Sequence, residues 1–247
     1  MKRILLAGAS GRLGQEITAA AQGKNIPLTP LKRGDIANIT RILDELSQKS
    51  VEKIIVIDVS LPEGTEGIAD QLLSSQELKH LVALVVGTTG HSQELTQKLD
   101  NLAKKTPVVV SSNFSRGIFL FEEMLQAKTS SGKSVADLAR QLGFDLALWE
   151  SHHTLKKDAP SGTAKTLAHA ASVPHDRISS TRVGAVVGEH TLFLSQGAEE
   201  LRISHMAHSR RLFADGAVDL CDRLFENSLD NKLYTMSQAL NQMMRTR

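Results

Sequence analysis

The densest run of chemically capable side chains is Glu150-Ser151-His152-His153-Thr154-Leu155-Lys156-Lys157-Asp158-Ala159-Pro160-Ser161-Gly162-Thr163-Ala164. Histidine titrates near neutrality and can exchange a proton during turnover. Lysine supplies a fixed positive charge for a carboxylate. Adjacent histidines on a strand point to opposite faces, so His152 and His153 converge only where a strand ends. The Lys, Asp and Pro after them predict such an end. Ser161 suits a helix N-cap, with Gly162 and Thr163 in the first turn. Their free N–H groups would form an anion site. A helix start beside two His and two Lys suits an acidic substrate. The competing reading is a surface loop before an ordinary capped helix.

A second constellation is Gly8-Ala9-Ser10-Gly11-Arg12-Leu13-Gly14, between an apolar run and a helical pattern. Gly8 allows a tight turn, Gly11 a close approach of backbone to pyrophosphate, and Gly14 close helix–strand contact. The following helix start offers N–H groups and its positive dipole end. The spacing is GxxGxxG, looser than GxGxxG, and a plain glycine-rich turn is the alternative. After the next strand come Lys32 and Arg33, which suit the 2′-phosphate of NADPH, while Asp35 leaves NADH open. Two more loops, Gly87-Thr88-Thr89 and Ser111-Ser112-Asn113-Phe114, follow strand ends, where open α/β sheets bind ligands.

The elements that must position these residues follow from periodicity. Strands are predicted at Arg3–Ala7, Pro27–Leu31, Ile54–Val59, Leu81–Val86 and Pro107–Val110. Helical spacing lies between them: Leu13, Ile17 and Ala20; Ile39, Leu43 and Leu46; Ile68 to Leu73; Leu95, Leu99 and Leu102. Apolar strands alternating with helices imply α/β class, with a Rossmann-type, doubly wound parallel sheet. The alternation stops near Ser115. Ile118–Lys128 reads as helix, Leu146–Trp149 as strand and Ser161–Ala171 as helix. Strands are expected at Thr181–Val187, His190–Ser195 and Glu200–His205, which implies a second, α+β domain. Phe213–Phe225 and Lys232–Met244 read as helices.

Composition removes competing chemistries. The only tyrosine is Tyr234, with Gln238 four residues on, so the Tyr-Lys pair of short-chain dehydrogenases is excluded. The only cysteine, Cys221, sits in a helical apolar pattern and reads as a buried thiol rather than a nucleophile. One cysteine also permits no internal disulfide and no Cys-rich zinc site, so no metal is expected and a cytoplasmic setting fits. The charge sum is 29 − 27 = +2, and there are seven Phe, one Trp and one Tyr, so no nucleic-acid partner is expected. Apolar runs are far below spanning length, and the first is broken at Gly8, so neither membrane insertion nor a signal peptide is expected.

Taken together, the sequence resembles the dihydrodipicolinate (4-hydroxy-tetrahydrodipicolinate) reductase family of lysine and diaminopimelate biosynthesis. The resemblance covers nearly the whole chain. It runs through Gly8–Gly14, Gly87–Gly90, Asn113–Ser115, Gly188-Glu189-His190 and Phe213–Ala217, and is most specific at His152-His153-x-x-Lys156-x-Asp158-Ala159-Pro160-Ser161-Gly162-Thr163. It implies hydride transfer from NADPH or NADH to a small cyclic dicarboxylate. His152 would be the general acid/base and Lys156 the second catalytic residue. His153, Gly162 and Thr163 would bind substrate. Gly8, Ala9, Ser10, Gly11, Arg12, Leu13, Gly87, Thr88, Thr89 and Ser111 to Phe114 would bind cofactor, with Arg33 added from the charge argument. The family also implies a dinucleotide-binding domain of residues 1–115 and 218–247, a substrate and oligomerisation domain of 116–217, and a homotetramer. The chain departs from the family pattern where Lys32-Arg33 replaces the usual acidic position. The alternative function is a non-catalytic NADP-sensing protein, which would need the glycine loop but not His152, His153 and Lys156.

Overall fold

The computed structural model describes residues 1–245; residues 246 and 247, the end of the segment expected in the dinucleotide-binding domain, lie outside the described residues. The chain divides into two compact units. One joins Met1–Phe114 to the chain from Phe213 on, and the other is Ser115–Leu212.

The first unit opens with alternating strands and helices: β1 (Lys2–Ala7), α1 (Arg12–Gly23), β2 (Leu28–Leu31), α2 (Ile39–Gln48), β3 (Lys53–Asp58), α3 (Pro62–Ser74), β4 (Leu81–Val86), α4 (Gln93–Leu102) and β5 (Val108–Val110). Ile4–Leu6, Ile54–Ile57 and Ala83–Val86 are fully buried. Strands covered on both faces need such unbroken apolar runs. Each large aliphatic side chain among them contributes roughly 1.5–3 kcal/mol of transfer free energy. Two details differ from expectation. Helix α3 begins at Pro62, well before Ile68, because proline at a first helical position lacks an N–H that would go unused anyway. A 3₁₀ turn, Arg33–Asn38, fills the stretch after β2.

In the second unit α5 (Arg116–Gln126), α6 (Val135–Gln141) and α7 (Gly162–Ala170) cover one face of a mixed four-stranded sheet. Its strands are β6 (Asp145–His152), β7 (Ile178–Arg182), β8 (Gly188–Gln196) and β9 (Glu199–Ala207), in the order β7-β6-β8-β9. Strand β6 runs parallel to β7 and antiparallel to β8. The strand expected at Thr181–Val187 lies earlier, at Ile178–Arg182. The valines at 183, 186 and 187 look strand-like, but Gly184 takes a positive φ of 50° between them and the chain turns there. Helix α6 is only seven residues long, too short to stand out in the periodicity.

The chain then returns through α8 (Arg211–Glu226), β10 (Leu233–Thr235) and α9 (Met236–Arg245). The helix expected over Lys232–Met244 is therefore a strand followed by a shorter helix. Strand β10 pairs with β5 in parallel and completes a six-stranded sheet, ordered β10-β5-β4-β3-β1-β2, with every pairing parallel. Among the described residues no helix is long and apolar enough to cross a membrane.

Candidate active site

Two separate sets of residues concentrate chemistry, one in each unit. In the first, β1 ends at Ala7 and the chain turns at Gly8, whose φ is +82°. A Cβ on Gly8 would stand 2.5 Å from the Val59 carbonyl oxygen, and one on Gly14 only 2.1 Å from the Gly8 oxygen. Both glycines are needed to fold the turn onto the sheet. Gly11 caps α1 with no side-chain hydrogen bond, so the cap position itself leaves the first-turn N–H groups to other partners. Gly8, Ala9, Ser10, Gly11, Lys32 and Arg33 line one cavity of about 930 Å³, with Ile36, Val59 and Gly64 among its other walls.

Lys32 and Arg33 are exposed at the rim of that cavity. Asp35 is committed elsewhere: its carboxylate accepts the Lys32 backbone N–H at 2.7 Å. An acid turned back on its own turn leaves two cations to meet whatever occupies the cavity.

The remaining expected cofactor residues do not line this cavity. Arg12 is exposed and Leu13 half-buried on α1. Gly87, Thr88 and Thr89 follow β4, and Ser111 to Phe114 follow β5, at the C-terminal ends of neighbouring strands. Ser112 and Thr89 are exposed. The Thr88 hydroxyl is buried and donates to Asp58 at 3.2 Å. The Phe114 ring is buried against Gly87, where a Cβ would come within 2.6 Å of it. Those two side chains shape the loops from within.

Asp58 is a residue to which sequence reasoning gave no role. Fully buried at the end of β3, it accepts hydrogen bonds from Ser60 N at 3.0 Å and from the hydroxyls of Ser60, Thr65 and Thr88. One carboxylate thus ties the loop after β3, helix α3 and the loop after β4 together. The signal was an acid directly after the apolar run Ile54–Ile57.

The second set grows from the core face of the other sheet. Along β6, Leu146 and Leu148 are buried against the helices, and the next two residues of the same face are Glu150 and His152. On β8, Leu194 and Leu192 give way to His190 and Gly188. The core face thus turns polar at one end. Register places Glu150 between Ser180 of β7 and His190 of β8, and His190 beside His205 of β9.

The His152 Nδ1 is hydrogen-bonded to Glu150 Oε2. Glu150 Oε1 faces Arg182 Nη1 at 2.9 Å. The Glu150 side chain has no solvent exposure and that of His152 has 11%. Burial works to raise the Glu150 pKa, yet the neighbouring Ser180, the Arg182 guanidinium and His152 hold it below the usual carboxylate range. For His152 burial dominates and lowers the pKa; Glu150 opposes that shift, and Lys156 and Arg182 add to it. His190 meets His152 edge-on, with ring centroids 5.2 Å apart, and burial pushes its pKa down to about 3.

Strand β6 ends at His152, as the Lys-Asp-Pro run predicts, and His153 follows it half-buried. The chain turns at once, with Lys156 N–H donating to the His153 carbonyl at 3.0 Å. Lys156 pairs with Asp158 at 2.8 Å. Arg182 braces this turn through the carbonyls of Lys156 and Asp158. Ser161 is the N-cap of α7, accepting from Ala164 N at 3.1 Å, and its hydroxyl meets His190 Nε2 at 3.3 Å. Gly162 and Thr163 open the helix, as expected.

Glu150, His152 and His190 have ligand-type atoms within 4.8 Å of one another. Two cations, Lys156 and Arg182, act on the same group, and Glu150 already serves Arg182 and His152. That charge balance suits proton handling rather than a divalent cation. Cys221, in turn, is fully buried and its thiol pKa is driven up, as expected of a packed thiol.

Comparison with known proteins gives matches along both units. A family model described as "Dihydrodipicolinate reductase, N-terminus" matches residues 2–114, and one described as "Dihydrodipicolinate reductase, C-terminus" matches 128–240. A protein of Stenotrophomonas maltophilia (strain R551-3), named 4-hydroxy-tetrahydrodipicolinate reductase, is 36% identical, covering 87% of this chain and 89% of its own. One of the same name from a Nitratiruptor species is 31% identical over 97% of this chain and 99% of its own. Among solved structures, a dipicolinate-bound dihydrodipicolinate reductase from Paenisporosarcina sp. TG-14 aligns with a TM-score of 0.66 at 20% identity, over 95% of this chain and 97% of that one, a likeness of fold.

Proposed function

We propose, because the chain belongs to the dihydrodipicolinate reductase family, a division of labour among its residues in NAD(P)H-dependent reduction of 4-hydroxy-tetrahydrodipicolinate to tetrahydrodipicolinate. The carrying observation is His152, buried with Nδ1 on Glu150, with Lys156 acting on it and His190 between it and Ser161 at the α7 start. A non-catalytic sensor of NADP would have no use for that set.

The residues of the first unit fit a nicotinamide dinucleotide. Gly8 and Gly11 put no side chain at either end of the turn, and the α1 start offers N–H groups to a pyrophosphate. Lys32 and Arg33 take the 2′-phosphate, so NADPH is preferred over NADH. Ala9, Ser10, Arg12 and Leu13 frame the phosphates. Gly87, Thr88, Thr89 and Ser111 to Phe114 form the floor at the β4 and β5 ends. Bound there, the reduced nucleotide supplies a hydride.

In the second unit Lys156 and the N–H groups of Gly162 and Thr163 hold the substrate carboxylates, with His153 beside them. His152 donates the proton that completes the reduction. The outer face of the same sheet carries Trp149, Phe193 and Met206, the last 51% exposed. Homotetramer assembly in the cytoplasm is proposed through this face.

The direct test is oxidation of NADPH and NADH, followed by the absorbance of the reduced nicotinamide, with substrate formed in situ from pyruvate and aspartate semialdehyde. Turnover with NADPH is expected; none with either nucleotide would overturn the assignment. Arg33→Asp should lower the NADPH/NADH ratio of kcat/KM at least about tenfold, since a charge-assisted hydrogen bond is worth about 1.5–3 kcal/mol. An unmoved ratio would take Arg33 out of the cofactor site.

A further inference from the structure

Glu150 is buried more deeply than His152, the side chain it contacts. It is a fully enclosed carboxylate whose two oxygens face two different partners: Oε2 the Nδ1 of His152, and Oε1 the Nη1 of Arg182 at 2.9 Å. Arg182 is in turn fixed through the carbonyls of Thr181, Lys156 and Asp158. The opposite edge of the His152 ring is different. A Cβ built on Gly188 would stand 3.1 Å from Nε2, so the missing side chain is what leaves room there.

We propose that Glu150, braced by Arg182, is the positioning residue that commits His152 to a single tautomer, keeping one proton on Nδ1 and reserving Nε2 for exchange with substrate. This rests on His152 being the proton donor, as assigned above. The proton count closes. The imidazolium carries N–H on both nitrogens; Nε2 gives its proton to the substrate, and the neutral ring left behind holds the Nδ1–H already bonded to Glu150. No ring rotation is needed, and Nε2 takes a new proton from water afterwards.

The groups around the ring argue the same way. Glu150 and Arg182 face it from β6 and β7, His190 from β8 and Lys156 from the turn after β6; Asp158 pairs with Lys156, and His205 stands next to His190. Burial keeps His190 neutral, and it adds no charge at working pH. Arg182 and Lys156 disfavour an imidazolium. Glu150 is thus the anion in direct contact with the ring that supports the proton-donating form. Nothing in the local sequence marks Arg182 as its brace, because the two meet only through the parallel register of β6 and β7.

Nitrogen-15 NMR of the histidine rings, with His152 assigned from His152→Gln, tests this without turnover. In the unmutated protein above its pKa, His152 should show a protonated Nδ1 and a bare Nε2. An Nε2–H tautomer would overturn the proposal. In Glu150→Gln, Arg182 should claim the amide oxygen and leave the NH₂ facing Nδ1, which must then accept. The tautomer should flip, and the His152 titration should move down by about one unit or more with its anion gone. Glu150→Asp, which keeps the charge, should retain the Nδ1–H form. In the assay Glu150→Gln should lose about 10–100-fold in kcat, the loss seen for outer-shell partners of metal-bound histidines, with KM for NADPH unchanged. Unchanged tautomer and titration in Glu150→Gln would overturn the proposal. Absent turnover in the unmutated protein would instead overturn the assigned reaction, and the NMR result would stand on its own.

Discussion

His152→Gln should lower kcat by ~100-fold or more, the range for a positioned general acid, while the dissociation constant for NADPH stays the same. Glutamine fills similar space and can still face Glu150, so the sheet end should keep its shape. What it lacks is a proton that leaves near neutrality. The pH profile gives a second reading. The donating form is the imidazolium, populated below the His152 pKa, and burial sets that pKa below the ordinary value of about 6.5. In the unmutated enzyme kcat should therefore fall as pH rises through that lowered pKa, and the variant should lose this limb. Stopped-time assays across pH, with nucleotide binding followed by fluorescence, check both. An unchanged kcat would remove His152 from the reaction.

Gly14→Ala should have the second largest effect, on the other unit. The added methyl would sit 2.1 Å from the Gly8 oxygen and 2.7 Å from the Ala9 Cα, both backbone atoms that cannot swing aside. Either α1 lifts from the sheet or the Gly8 turn opens. Overpacking of this kind costs about 1–3 kcal/mol or more. Because the displaced atoms belong to the turn proposed to hold the pyrophosphate, NADPH affinity should fall by roughly 5–150-fold, that same energy expressed as binding. Calorimetric titration with NADPH and a thermal melt measure the two parts. Unaltered affinity would show that this turn does not hold the nucleotide.

Much of this arrangement is legible in the sequence because its signals are local. The strands at residues 2–7, 53–58 and 81–86 are unbroken apolar runs, and a run buried on both faces needs no partner to be recognised. His152, Lys156, Ser161, Gly162 and Thr163 lie within a dozen residues, so one turn and one N-cap gather them. What stays hidden depends on pairing. Arg182 is 32 positions from Glu150, and Thr88 is 30 from Asp58; only strand register brings each pair together. Strand β10 reads as helix because three residues are too few to show a period of two, and Leu233 also fits the helical spacing continued by Met236, Leu240 and Met243. At Thr181–Val187 the valines outweigh Gly184, whose positive φ ends the strand early.

The last strand to be made, β10, lies against β5, an element formed from residues well over a hundred positions earlier. While the chain is being synthesised, the sheet edge at Val108, Val109 and Val110 therefore stands open throughout production of the entire second unit. An uncovered apolar edge invites pairing with another chain. Three residues, Leu233–Thr235, close it from within. The nucleotide-binding half thus begins first and matures last, so a nascent or shortened chain lacking this strand carries an adhesive edge that the finished protein hides.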